Sequence, residues 1–232
     1  MSSVAIITAR GGSKRIPRKN IKEFCGKPIM AYSIQAALKS ELFDEVMVST
    51  DDAEIAEVAR KYGAQVPFMR SAKNSDDYAT TEDVLEEVIT TYSNNGKDFE
   101  CFSCIYPTAP FVTAEKLQKS YEVFSLSGAG TLEAVVKFSY PPQRGYIRKD
   151  GFLQYKYPQY INSRSQDLEP FFHDAGQFYY FNTIQFLQAR KKGIELKKVP
   201  FLLDEIEVQD IDTLMDWKIA EVKYSLMLEK LL

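Results

Sequence analysis

The sequence predicts an α/β fold, a mostly parallel sheet flanked by helices, on three observations. Short apolar runs suited to buried strands alternate with segments of helical periodicity as far as Ser139. Helix-start and helix-stop residues sit between them. The 232 residues, 45% hydrophobic and 26% charged, suffice for one large core.

Each element has its own reason. VAIITA (4–9) is continuously apolar, as a strand buried on both faces must be. KPIMAYSIQAALKS (27–40) reads as a helix with Pro28 in its first turn, where a missing N–H costs nothing. EVMVST (45–50) is a strand, and DDAEIAEVARKYG (51–63) a helix closed by Gly63. QVPFMR (65–70) reads as an edge strand, because Pro67 cannot donate to a central ladder. TTEDVLEEVITTYSNN (80–95) is a helix capped by Thr80 or Thr81. CFSCIYP (101–107) is a strand, TAEKLQKSYEVFSL (113–126) a helix and TLEAVVKF (131–138) a strand. Residues 140–175 break the pattern. They are rich in Tyr, Pro, Gln, Arg and Ser, and an irregular insertion of that length is often functional. QFYYF (177–181), a helix near 182–191, strands near 196–208 and a helix from 213 onward follow. No repeat or linker divides the chain, so residues 1–232 are read as one domain with 140–175 inserted into it.

Composition excludes several classes. The net charge of -3 leaves no broad basic face for nucleic acid. No run approaches the ~20 apolar residues of a membrane span. MSSVAIITARGG lacks a basic region before its short apolar run, so a cytoplasmic protein with no membrane partner is expected. Cys25, Cys101 and Cys104 are too few for a disulfide framework. The C-x-x-C of the last two lies in a strand pattern, and a single histidine leaves a zinc site poorly supplied. These are read as core cysteines.

Two stretches carry chemistry. ARGGSKRIPRKN (9–20) holds Arg10, Lys14, Arg15, Arg18 and Lys19 directly after the first strand. Gly11 and Gly12 let the backbone turn and approach a ligand, and free N–H groups in such a turn cradle phosphate oxygens. Five bases offset the charge of a nucleoside triphosphate; Arg18 is read as solvated. Neither a Walker loop nor a dinucleotide fingerprint is present. A solvated basic loop or a nucleic-acid patch is the plainer reading, against which stand the acidic remainder of the chain and the glycines at a strand end. The second stretch is EVQDIDT (207–213). In an extended segment Asp210 and Asp212 share a face. Beside a polyphosphate, such a pair suits Mg²⁺, which takes one or two carboxylates plus phosphate oxygens and water. Asp212 also suits a helix N-cap.

With both stretches located, the sequence resembles the CMP-sialic acid synthetase family of cytidylyltransferases. ARGGSKRIPRKN, VSTDD, SDDYATT, YPTAP and DIDT stand in the family's order and spacing, over nearly the whole chain. FDEV, SRSQDL (163–168) and HDAG (173–176) bring it nearest to the members that activate pseudaminic acid. The resemblance implies a Rossmann-like nucleotidyltransferase, with residues 140–175 as an inserted dimerisation and sugar-binding arm, hence a homodimer. It implies CTP and a nine-carbon 2-keto sugar acid as substrates and Mg²⁺ as cofactor. Arg10 and Lys19 match triphosphate ligands, Asn20 a residue near ribose and phosphates, and Lys14 adds charge. Arg70, Ala79, Thr80 and Thr81 match the cytosine and ribose region, and Asp210 and Asp212 the metal carboxylates. Arg10, Lys19, Asp210 and Asp212 carry the catalysis; Asp210, Asp212 and a metal-activated hydroxide all remain open as general base. Tyr106, Arg164, Gln166, His173 and Asp174 fall where sugar contacts lie, with Phe171, Phe172, Phe178 and Tyr179 expected around them. A structural role stays open for each, most of all for the lone His173. Tyr106 stands where many members have glutamine, and His173 where an arginine is common, which is what a changed sugar requires. The competing class is a non-catalytic nucleotide- or nucleic-acid-binding module, which has no need of Asp210 and Asp212 on one face.

Overall fold

In the computed structural model, which describes residues 2–229, β1 (Ser3–Thr8) leads through the basic loop to a small clasp, β2 (Glu23–Phe24) and β3 (Lys27–Pro28), and into α1 (Met30–Ser40). β4 (Glu45–Ser49), α2 (Ala53–Lys61), α3 (Thr81–Asn94), β5 (Cys101–Ile105), α4 (Ala114–Ser127) and β6 (Thr131–Lys137) follow. The excursion 138–171 holds a hairpin, β7 (Tyr146–Lys149) and β8 (Phe152–Tyr155). β9 (Phe172–Asn182), α5 (Thr183–Lys192), β10 (Lys198–Leu203) and α6 (Leu214–Glu229) complete the fold.

The main sheet has the order β10-β6-β9-β5-β1-β4. β1 pairs in parallel with β4 and β5, and β6 with β10; β9 runs antiparallel between β5 and β6. Five strands therefore end at one edge, and the loops 9–20, 50–52, 106–112 and 204–213 meet there. The central strands are buried on both faces, with Ala5, Ile7, Val48 and Ile105 in one apolar cluster and Val4, Ile6, Met47 and Phe102 in the other. Cys101 and Cys104 belong to different clusters, on opposite sides of β5. Burial pushes the Cys104 thiol up to about 12, so these are inert core residues, as the sequence implied.

The excursion is an insertion in a hairpin. β6 and β9 pair up to Lys137↔Phe172, and Phe138 N–H still donates to Phe171 O (2.9 Å). Residues 172–175, expected to lie in the irregular arm, are thus the start of β9. Opposite Glu133–Val135 the register shifts, and Gly176 adopts φ +62°. Such a bulge breaks the pairing and re-aims the side chains beyond it, here His173 and Asp174 at the ligand edge.

Three local expectations change. Pro28 lies in β3, ahead of α1, because the clasp with Glu23 takes it up first. Residues 65–70 make only a bridge, Gln65 with Met47, since Pro67 removes the next donor. Residues 204–208 form a short 3₁₀ turn, Glu205–Glu207, where a strand was expected. Gly63 closes α2 with φ +96°, and Thr80 caps α3 in a capping box with Asp83. No helix among the described residues is long and apolar enough to cross a membrane.

Candidate active site

A third apolar cluster assembles the site. Ile16 from the basic loop and Ile211 from the QDID segment are both 1% exposed, and both pack into a cluster with Phe24, Ile29, Phe111 and Trp217. Two segments almost two hundred residues apart are thereby held against each other by buried apolar anchors. Their charged residues meet as a result. Lys19 Nζ donates to Ile211 O (2.6 Å) and lies 3.7 Å from Asp212 Oδ1, while Arg15 pairs with Asp212 Oδ2 (2.7 Å). Burial pulls the Lys19 pKa below the usual lysine range, and Asp212 and Asp210 oppose that shift.

The loop borders a cavity of about 680 Å³, lined by Arg10, Lys14, Arg15, Lys19, Asn20, Arg70, Ala79, Thr80, Thr81 and Tyr106 among others. Nearly every residue expected around the nucleotide is brought here. Arg70, open to a reading as a surface arginine, is buried; it donates to Ser49 Oγ (3.0 Å) and Ser49 O (2.6 Å). Asn20 is also buried and donates to Arg10 O (2.8 Å), which fixes the curvature of the loop. Ser13, Asn74, Asp76, Asp77 and Thr108 line the same cavity and were missed. Asp77 is the most consequential of these, since it pairs with both Arg10 (3.1 Å) and Lys14. Its position inside SDDYATT was the only available signal.

The glycines act otherwise than expected. Gly11 N–H donates to Asp51 Oδ1 (2.9 Å), so it is not free to cradle phosphate. A Cβ on Gly11 would sit 2.9 Å from Asp52 Oδ2, so glycine is needed there for the close approach of a carboxylate. A Cβ on Gly12 would meet nothing within 4 Å. The cationic lining therefore comes from side chains.

Arg18, expected to be solvated, binds Asp52 with both terminal nitrogens and also reaches Glu54. Asp52 is itself the N-cap of α2, accepting from Ile55 N–H (3.0 Å). The Arg18 guanidinium, with that backbone N–H, holds the Asp52 carboxyl down at about 2. A carboxylate depressed in the folded state stabilises the fold above its unfolded pKa, and that contribution is lost as pH falls through the folded value. Arg18→Ala is therefore expected to cost about 1 kcal/mol near neutrality, the scale of a half-exposed ion pair with good geometry. The difference from wild type should shrink between pH ~4 and pH ~2. Urea unfolding at pH 7, 4 and 2.5 measures it; a constant difference would exclude this linkage.

A second cavity, about 460 Å³, adjoins the first and shares Tyr106 and Thr108 with it. His173, Asp174, Gly176, Glu205, Gln209, Asp210 and Lys223 stand on its walls. Asp174 is held by Gly176 N–H (2.8 Å) and the Tyr179 hydroxyl (2.6 Å). His173 packs on Phe138 and its Nδ1 lies 2.9 Å from Asp174 O. Tyr106 reaches Thr81 Oγ1 at 3.4 Å, so it ties the two cavities together. Arg164 and Gln166 are not brought here within one chain: both are exposed on the arm and line no cavity described here, and Arg164 pairs with Asp167 (2.7 Å). The expected aromatic wall is also only partly present. Phe178 is wholly buried in the core, Phe171 and Phe172 are exposed, and Tyr179 faces a third, neighbouring cavity of about 440 Å³. Only Tyr106 lines the second one. Lys223, Glu205 and Gln209 were missed, because a lysine in a helical pattern carries no motif.

Asp210 and Asp212 flank the buried Ile211, and Asp210 is exposed at the second cavity. The described residues contain no group of three or more acidic, histidine or cysteine ligands. Asp210 at the second cavity and Asp212, tied to Arg15 and Lys19 of the basic loop, nonetheless suit Mg²⁺, whose remaining positions go to phosphate and water. Asp212 does not cap α6. Thr213 does, accepting from Asp216 N–H (3.2 Å), while Asp216 accepts from Thr213 N–H (2.7 Å).

Comparison with known proteins shows the family and the fold. A family model described as cytidylyltransferase matches residues 4–214. The chain is similar to a pseudaminic acid cytidylyltransferase of Campylobacter jejuni, 41% identical over 225 residues and 97% of each chain. It is also similar to a CMP-N,N'-diacetyllegionaminic acid synthase of Legionella pneumophila, 34% identical over 95% of each. Among solved structures, a CMP:2-keto-3-deoxy-manno-octonic acid synthetase complexed with CTP shares the fold at a TM-score of 0.67 and 16% identity, covering 99% of this chain and all of that one.

Proposed function

The chain belongs to the cytidylyltransferase family, and from that premise we propose that it transfers CMP from CTP to the anomeric hydroxyl of pseudaminic acid, releasing pyrophosphate. The observation that carries this reading is the junction of two cavities, one lined by the basic loop and Arg70, the other by His173 and Asp210, with Tyr106 and Thr108 common to both. A nucleotide in the first presents its α-phosphate toward a sugar in the second. The sugar oxygen bonds to the α-phosphorus, the bond from that phosphorus to the α–β bridging oxygen breaks, pyrophosphate leaves with that oxygen, and the hydroxyl proton passes to solvent.

Such a transfer needs positioning and charge neutralisation more than covalent chemistry. Arg10, Lys14, Arg15 and Lys19 receive the triphosphate, and Arg70, Ala79, Thr80 and Thr81 hold the nucleoside end. Asp210 and Asp212 would hold Mg²⁺, which neutralises charge on the departing pyrophosphate. The cationic side chains are already paired to Asp77 and Asp212, so the cavity is pre-formed and its charges are exchanged for those of the ligand. A cytoplasmic setting, where CTP is available, suits the reaction. Pyrophosphate release that requires CTP, the sugar acid and Mg²⁺ together tests the reading. CTP binding without any such release would favour a non-catalytic nucleotide module.

The arm belongs to the same reading. Phe152 and Leu153 on β8 are 74% and 71% exposed, and Tyr140 is 88% exposed. Large apolar side chains exposed together on one insertion favour a contact face. A homodimer through residues 140–175 covers it and brings the exposed Arg164 and Gln166 of one subunit toward its partner. Sedimentation of the pure chain should show a dimer, and charged substitutions at Phe152 and Leu153 should dissociate it. A fully active monomer excludes this assembly.

A further inference from the structure

Lys223 on α6 is a cation in the second cavity that the reaction so far leaves without a task. Its Nζ donates to two backbone carbonyls, Glu205 O (3.1 Å) and Val208 O (2.7 Å). An ammonium has three donors, so one remains. Both partners are neutral, and Lys223 makes no ion pair among the described residues. The half-buried lysines nearby differ in this respect: Lys19 pairs with Asp212, and Lys116 with Glu207 (3.0 Å). Lys223 is also the one Lys or Arg among the residues lining this cavity.

The other charges there are of opposite sign. Asp174, Glu205 and Asp210 all border the space. Asp174 is occupied by Gly176 N–H and the Tyr179 hydroxyl, and Asp210 is assigned to the metal. A sugar acid entering a cavity with three carboxylates has to present its own carboxylate to a cation, or binding is opposed by like charge. Lys223 is held by its two carbonyls and stands within the long helix α6, so little side-chain freedom is lost when a third acceptor arrives.

Resting on the sugar-acid reading above, we propose that Lys223 receives the carboxylate of the sugar acid and sets the preference for acidic over neutral sugars. The alternative is a clamp: Lys223 only fastens the 204–208 turn to α6. The two separate in steady-state kinetics with CTP and pseudaminic acid varied independently at saturating Mg²⁺. Lys223→Gln keeps a donor for a carbonyl and removes the charge. It is expected to raise KM for the sugar acid about ten- to hundredfold, the loss of one charge-assisted hydrogen bond, with KM for CTP within about twofold. Lys223→Arg should recover most of that loss. Both KM values rising together with a lowered melting temperature, or no change in the sugar KM, overturns the proposal.

A measurement on the wild-type enzyme covers the case in which the variants do not fold. Acylation of Lys223 by an amine-reactive reagent, followed by peptide mass spectrometry, should slow when pseudaminic acid is added to the CTP-free protein. Unchanged labelling at a sugar concentration that saturates turnover overturns the proposal. If the wild type releases no pyrophosphate from CTP with any sugar acid, it is the function above that fails, and the inference falls with it.

Discussion

Asp212→Asn is expected to lower turnover at least about a hundredfold while leaving the melting temperature almost unchanged. The size follows from what is removed. Asp212 is the carboxylate on which Arg15 (2.7 Å) and Lys19 (3.7 Å) converge, and with Asp210 it forms the pair that fits Mg²⁺. Removing one electrostatic group that acts on the departing charge typically costs 10²–10³ in kcat. Asparagine keeps the shape of the side chain, so the packing of Ile211 beneath it is undisturbed. The small effect on stability follows from the helix cap: Thr213 and Asp216 satisfy the first turn of α6 without help from the Asp212 side chain. Chelation of divalent cations should reproduce the loss in the wild type, reversed by Mg²⁺. Near-normal turnover in a folded Asp212→Asn enzyme would remove the metal role.

Pseudaminic acid is expected to be used at least about a hundredfold more efficiently than neuraminic acid, in kcat/KM at matched CTP and Mg²⁺. Both sugars offer the same carboxylate and the same anomeric hydroxyl, so neither Lys223 nor the loop distinguishes them. They differ in ring stereochemistry and at the far end, where pseudaminic acid carries acylamino groups and a deoxy methyl terminus in place of a glycerol chain. The second cavity offers Tyr106, Val136 and Ala175 as apolar wall, and of its charged side chains Asp174 is already engaged by Gly176 N–H and the Tyr179 hydroxyl, and Lys223 by two backbone carbonyls. A hydroxyl that enters and finds no partner costs ~1–3 kcal/mol, so two such mismatches reach the expected ratio. Tyr106→Gln should narrow the gap by supplying an amide. A preference for neuraminic or legionaminic acid overturns the sugar assignment and leaves CMP transfer standing.

The two experiments read different cavities, and the sequence was unequally informative about them. For the nucleotide cavity, the basic loop was legible as a charged run after the first parallel strand, whereas Arg70 and the threonines at 80 and 81 were placed by the family resemblance. The second cavity is built on β9, the antiparallel strand, where a bulge at Gly176 decides which way His173 and Asp174 are aimed. No periodicity in HDAG announces that bulge. The same blindness placed Phe178 in the pocket: QFYYF is aromatic on both parities, and only its pairing with β5 and β6 sends Phe178 and Tyr180 into one apolar cluster and Tyr179 and Phe181 into the other.

By itself the sequence determined the α/β class, the alternation of buried strands and capped helices, the inertness of the paired cysteines, and the two charged stretches. Those are local properties, set by side-chain period, capping chemistry and composition within a dozen residues. Tertiary structure alone decided that Ile16 and Ile211 share one apolar cluster and so bring Lys19 to Asp212, that Asp77 is the counter-charge of Arg10 and Lys14, that Arg18 braces α2, and that Lys223 faces the second cavity. Each of these joins residues far apart in the chain. Charge complementarity between such residues leaves no spacing to read, because the sheet topology, and not the intervening sequence, sets the distance between them.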